Sequence, residues 1–126
     1  MIRQIALPTC TLAGATGSAA GTATSDYPIV GELLAARIVY SGGTSTEDVT
    51  ISTVGDSLTL LVVANNQTSG WYYPRAQIHN TSGSALTLDG TQAYVAPIPI
   101  VDYVRAVVAE GGTAGNTVAV TLKVRT

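Results

Sequence analysis

The chain reads as all-β: an antiparallel β-sandwich, jelly-roll-like or immunoglobulin-like, with an extended N-terminal arm. Three observations predict this. Apolar and polar residues alternate with period two through most of the 126 residues. Turn signals rich in Gly, Asn, Asp and Ser separate the alternating runs at short spacing. No stretch shows the three-to-four spacing of an amphipathic helix. The length suits one domain that buries a core without disulfides.

Taken in order, residues 9–25 are almost entirely Ala, Gly, Thr and Ser. They have too little apolar bulk to drive their own packing. Residues 1–25 are therefore expected to be a flexible arm or a thin edge strand ordered only by a partner, leaving 26–126 as the sandwich domain. Deleting the arm should then leave the sandwich folded. Leu34, Ala36, Ile38 and Tyr40 alternate with Ala35, Arg37 and Val39, and Val49, Ile51 and Thr53 with Asp48, Thr50 and Ser52. Both patterns predict half-buried strands.

The run Leu58-Thr59-Leu60-Leu61-Val62-Val63 is continuous and rich in branched residues, which predicts a strand buried on both faces. Asp89-Gly90 between residues 85–88 and 91–95 is the strongest hairpin signal. Pro97 and Pro99 lack an N–H, so Pro97-Ile98-Pro99-Ile100 should lead from an edge or a bulge into a long strand over 101–109. Val118, Val120, Leu122 and Val124 give the clearest one-sided strand. Turns are expected at Ser41-Gly42-Gly43-Thr44-Ser45, Val54-Gly55-Asp56, residues 65–70 and residues 110–116.

Composition narrows the function. Charged residues make up 11% of the chain, against about 25% in an average protein. Mean hydropathy is +0.32, yet no run approaches the roughly 18 apolar residues that span a bilayer, so no membrane partner is expected. A soluble chain with so little charge covers surface by self-association or by joining a larger assembly. The alternative is a monomer coated in uncharged Thr and Ser. Net charge is −2, and the basic residues Arg3, Arg37, Arg75, Arg105, Lys123 and Arg125 are scattered along the sequence, which argues against nucleic acid. Cys10 is the one cysteine, so neither an intrachain disulfide nor a cysteine metal site can form. Ile5-Ala6-Leu7 is too short for a signal-peptide core, and the product is read as made in a cytoplasm.

The chemistry is sparse. His79 and Cys10 are each single and carry no nucleophile signature. Glu47 and Asp48 are adjacent and should point to opposite faces of a strand. Asp102 interrupts an apolar run and is expected to bond a backbone group or pair with an arginine. No enzyme activity, catalytic residue, metal site or cofactor is expected. The remaining candidate is Trp71-Tyr72-Tyr73-Pro74-Arg75, which holds three aromatics of a chain with one Trp, six Tyr and no Phe. Strand parity puts Trp71 and Tyr73 on one face and Tyr72 on the other. A core lacking Phe needs bulk, which makes Trp71 the candidate core anchor. The alternative is an exposed Trp71/Tyr73 platform for a sugar. Tyr72 and Arg75 are the candidate partner contacts.

A set of elements in fixed order carries a resemblance. They are Gly31-Glu32-Leu33-Leu34-Ala35-Ala36-Arg37, Glu47-Asp48-Val49-Thr50-Ile51, Gly70-Trp71-Tyr72-Tyr73-Pro74-Arg75 with Thr81-Ser82-Gly83 behind it, Ile98-Pro99-Ile100, residues 105–112 and Thr117-Val118-Ala119-Val120. From about Tyr27 onward the chain resembles small β-sandwich structural proteins of tailed bacteriophages, some of which are head decoration or cement proteins. The resemblance implies a virion protein made in the host cytoplasm, most simply a capsid decoration protein. Its partners would be the major capsid protein and its own copies, as a dimer or trimer. The alternative is a glycan-binding module of the tail or baseplate.

Overall fold

A computed structural model describes residues 1–42, 46–65, 68–88 and 90–126, with Leu88 described through its backbone. The strands are β1 (Ile2–Ala6), β2 (Cys10–Thr11), β3 (Ala19–Thr24), β4 (Ile29–Ser41), β5 (Asp48–Thr53), β6 (Thr59–Val63), β7 (Gly70–Tyr72), β8 (Ala76–Gln77), β9 (Thr87–Leu88), β10 (Gln92–Ala93), β11 (Val95–Ala96), β12 (Ile98–Asp102), β13 (Val104–Gly111) and β14 (Thr117–Arg125). The chain is an all-β, antiparallel sandwich. Among the described residues there is no helix.

The two longest strands organise the larger sheet. β14 and β4 pair from Thr117 opposite Ser41 to Arg125 opposite Glu32. Each outer edge of this pair is lined by two short strands: β1 and β2 against β14, β12 and β7 against β4. The smaller sheet runs β3-β13-β5-β6. Val118, Val120, Leu122 and Val124 point inward from β14 and meet Val49, Ile51, Val104, Ala106 and Val108 of the other sheet in one apolar core. Burial of each such side chain contributes about 1.5–3 kcal/mol.

β4 carries a bulge. Lys123 faces Ala35 and Val124 faces Leu33, so Leu34 is left without a partner on β14. Parity flips there: Leu33, Ala36 and Ile38 are buried, while Leu34 leaves the inward set that simple alternation gave it. Gly31, at φ +147°, allows the close approach beside the bulge. A Cβ there would lie 2.5 Å from the Arg125 carbonyl oxygen.

Three expectations need correction. The N-terminal segment takes the edge-strand form, and the chain itself orders it, not a partner. β1 and β2 complete the edge of β14, β3 pairs with β13, and Ile5, Leu7, Cys10, Leu12, Ala19 and Ala23 join the core. Its small residues have a steric cause: a Cβ on Gly21 would sit 2.6 Å from Cys10 Sγ. The second correction concerns β6, which is an edge strand with one face out. A register shift at Leu60 lets Leu60 and Val63 reach the core, while Leu58 and Val62 stay exposed.

The third correction is to the run 101–109, which is two strands in different sheets. At Tyr103 the chain crosses from β12 to β13, and the Asp102 carboxylate fastens the corner. It accepts from the N–H groups of Gly55 (2.6 Å), Tyr103 (2.7 Å) and Asp56 (3.3 Å). This is the backbone-bonding role expected of Asp102. Pro99 lies on an edge strand as expected, while Pro97 falls between β11 and β12. Of the predicted turns, Gly43, Thr44, Ser45, Asn66, Gln67 and Asp89 lie outside the described residues.

Candidate interaction surface

Between Tyr72 and Ile98 the chain leaves the edge of β4 and comes back to it. Tyr72 pairs with Ala36 and Ile98 with Leu33. The excursion is a three-way β-junction. Gln77 pairs with Val95, His79 bridges to Ala85, and Thr87 pairs with Ala93, so each of three short bent segments pairs with both others. At the centre the backbone closes a cycle. Ile78 N–H donates to the Tyr94 carbonyl (2.8 Å), Tyr94 N–H to that of Leu86 (3.0 Å), and Leu86 N–H to that of Ile78 (2.8 Å). The cycle satisfies the central main-chain groups without a second layer. It also relates the three residues cyclically, each bonded to the other two.

Local chemistry shapes the turns. Asn80 Oδ1 accepts from Ser82 N–H (2.9 Å) and Ser84 N–H (3.0 Å), an Asx turn that reverses the first segment. Gly90, at φ +75°, lies in the loop of the predicted hairpin, whose strands are β9 and β10. Every described side chain from residue 75 to 95 is exposed. Ile78 and Leu86 are each 38% exposed, Tyr94 49%, and Tyr73 at the root 66%. The eight-residue recurrence of Ile78, Leu86 and Tyr94 is visible in the sequence only once the cycle is known.

The aromatic strand reverses its expected faces. On β4 Ala36 points to the core and Arg37 to solvent. Tyr72 pairs with Ala36 and Trp71 with Arg37, so the pairing settles which ring goes in. Tyr72, expected to meet a partner, packs against the core. Trp71, expected to anchor the core, is half-buried on the outer face, with Lys123 Nζ 4.5 Å from its ring centroid. Arg75, the other expected partner contact, is committed to backbone. Its Nη1 donates to the carbonyls of Leu34 and Pro74, both at 2.8 Å, so it satisfies the oxygen that the bulge residue exposes.

Sequence reasoning passed over Arg37 and Lys123. Outward positions on β14 and β4 bring Lys123, Arg125 and Arg37 to the same face, where Arg125 Nη2 pairs with Glu32 Oε2 at 2.7 Å. Basic residues scattered in sequence are thus gathered in space. The signal was the odd-number parity of β14, legible only once β4 is known to lie beside it.

Glu47 is 1% exposed and Asp48 points the other way, accepting from Asn65 N–H at 2.8 Å. Burial first, then neighbouring Tyr72 and Glu47, push the Tyr40 phenol up to about 12. Its hydroxyl has no hydrogen-bond partner among the described residues. Cys10 is buried on the β14 edge, where burial pushes its thiol up, while His79 lies on the junction beyond the β4 edge. The fold does not bring the two together. Among the described residues there is no pocket and no group of His, Cys, Asp and Glu placed to hold a metal. Comparison with protein-family models, curated proteins and solved structures returns no match.

Proposed function

We propose that this chain is a non-enzymatic structural protein of a tailed-phage virion, a decoration protein that stabilises the head by binding the major capsid protein as a homo-oligomer. The observation that carries the reading is the junction. In a chain with 11% charged residues, Tyr73, Ile78, Leu86, Tyr94 and Val95 are exposed together on a projection with no core of its own. A contact of that size is modest alone and gains strength when a symmetric lattice repeats it. The ordered resemblance to phage sandwich proteins points the same way.

Sedimentation with purified particles tests it. The protein is expected to travel with empty heads in many copies per particle. Finding it with tails alone, or with neither, would end the decoration reading. The outward placement of Trp71 favours a second reading, a glycan-binding tail or baseplate module. Lys123 already covers a face of that ring, so a sugar would have to displace it. Binding on a glycan array that Trp71→Ala abolishes would move the assignment there.

A further inference from the structure

We propose that the outer face of the larger sheet around Trp71 is a docking surface for an acidic protein surface. This deepens the virion reading by naming the chemistry of the partner, and rests on it only for the partner's identity.

Charge is the first argument. The chain as a whole is net −2, yet outward positions of β14 and β4 carry Arg37, Lys123 and Arg125 against one carboxylate, Glu32. Glu32 is already paired with Arg125. Among the described residues neither Arg37 nor Lys123 has a carboxylate partner. The other described acids sit elsewhere. Asp26 lies in the β3–β4 connection, Asp56 and Asp102 at the sheet-crossing corner, Glu47 inside, and Asp48 and Glu110 at the far end of the smaller sheet. This face therefore presents a positive field opposite in sign to the molecule's net charge, the arrangement that steers and orients an acidic partner.

Shape is the second argument. Trp71 lies half-buried with Arg37 beside it in register and Lys123 across its ring. Trp and Arg are the residues that most often carry binding energy at protein interfaces. The ring holds the ammonium itself, with Lys123 Nζ 4.5 Å from its centroid, so the cation is already fixed in place on this face. Around them Thr117, Ala119, Thr121 and Ala35 keep the sheet face low, and no pocket opens there. A flat face with a central aromatic and flanking cations suits a protein surface better than a small molecule, which needs enclosure. It suits a duplex poorly, because DNA presents a charge about every 1.7 Å and two unpaired cations neutralise little of it.

The test uses the full chain, its Arg37→Glu and Lys123→Glu variants, and Lys123→Gln, which removes the charge without reversing it. Binding to immobilised poly-L-glutamate, heparin and duplex DNA is measured at about 50 and about 500 mM salt. Thermal melts check that each variant is folded. The wild-type chain is expected to bind polyglutamate at low salt and to weaken about tenfold at high salt. Each charge reversal should lose at least about tenfold, and Lys123→Gln less. Equal binding by wild type and reversals overturns the proposal, as does retention on heparin or DNA with none on polyglutamate. If polyglutamate binding behaves as expected but the protein ignores phage heads, the virion reading fails and this one stands.

Discussion

The sandwich body and the projecting junction use the same backbone chemistry and differ in what lies behind it. In the body, alternate side chains of β14, β4, β13 and β5 press against an opposing sheet. In the junction, the cycle through Ile78, Leu86 and Tyr94 satisfies the main chain, yet the side chains face water. Hydrogen bonds give the junction its shape, each worth only about 1 kcal/mol net. Burial gives the body its stability. Most of the stability thus comes from the body, while the junction leaves its apolar side chains exposed.

That division can be attacked at graded strength. Removing residues 1–24 is expected to have the largest effect. It strips β1, β2 and β3, opens the edges of β14 and β13, and empties the core positions of Ile5, Leu7 and Leu12. Circular dichroism should show no cooperative melt, and a melt near that of the full chain would return the segment to the status of an arm. Leu122→Ala, in the centre of the body, should cost about 2–5 kcal/mol in denaturant unfolding, because the sheets cannot close over the cavity.

Tyr40→Phe probes a flaw within the body. An ordinary tyrosine ionises near 10, whereas this one is pushed up to about 12. The native state holds the proton more tightly, so the contribution is full below pH 10 and is lost as pH rises towards 12. The wild-type melting temperature should fall across that window more steeply than the variant's. At neutral pH the variant should match or slightly exceed wild type, since the lost hydroxyl was buried without a partner. Smallest of all, Ile78→Ser and Leu86→Ser should each change stability by within about 0.5 kcal/mol. The same variants should weaken attachment to heads in sedimentation, and a large loss of stability would mean that the junction has a core after all.

Legibility followed the range of the interaction. Strand β14 could be read residue by residue because its alternation is local and one face is wholly apolar. The hairpin of β9 and β10 was legible for the same reason, from a turn dipeptide. Asp102 was read correctly in kind, because a carboxylate in an apolar run needs nearby N–H donors. What failed depended on distant partners. Alternation cannot tell which face of β7 is inner, because that is set by Arg37 and Ala36 across the sheet. Nor does an apolar run announce that Tyr103 carries it from one sheet to the other. The Ala/Gly/Thr segment looked too poor to pack, yet its smallness is what lets β3 lie against β2. The site was the least legible part: the gathered cations come from β4 and β14, and the cycle joins residues with no sequence signal.

The root of the junction has a further consequence. Its two ends meet β4 at Ala36 and Leu33, and residues along a strand rise about 3.3 Å each, so entry and exit lie about 10 Å apart. A short turn closes such a gap. Residues 76–97 are in effect a tip on a handle that includes Arg75, whose Nη1 holds the Leu34 carbonyl. A segment of different sequence fits the same gap with no change to the strands beneath. The same attachment point is the natural place to graft a foreign peptide for display.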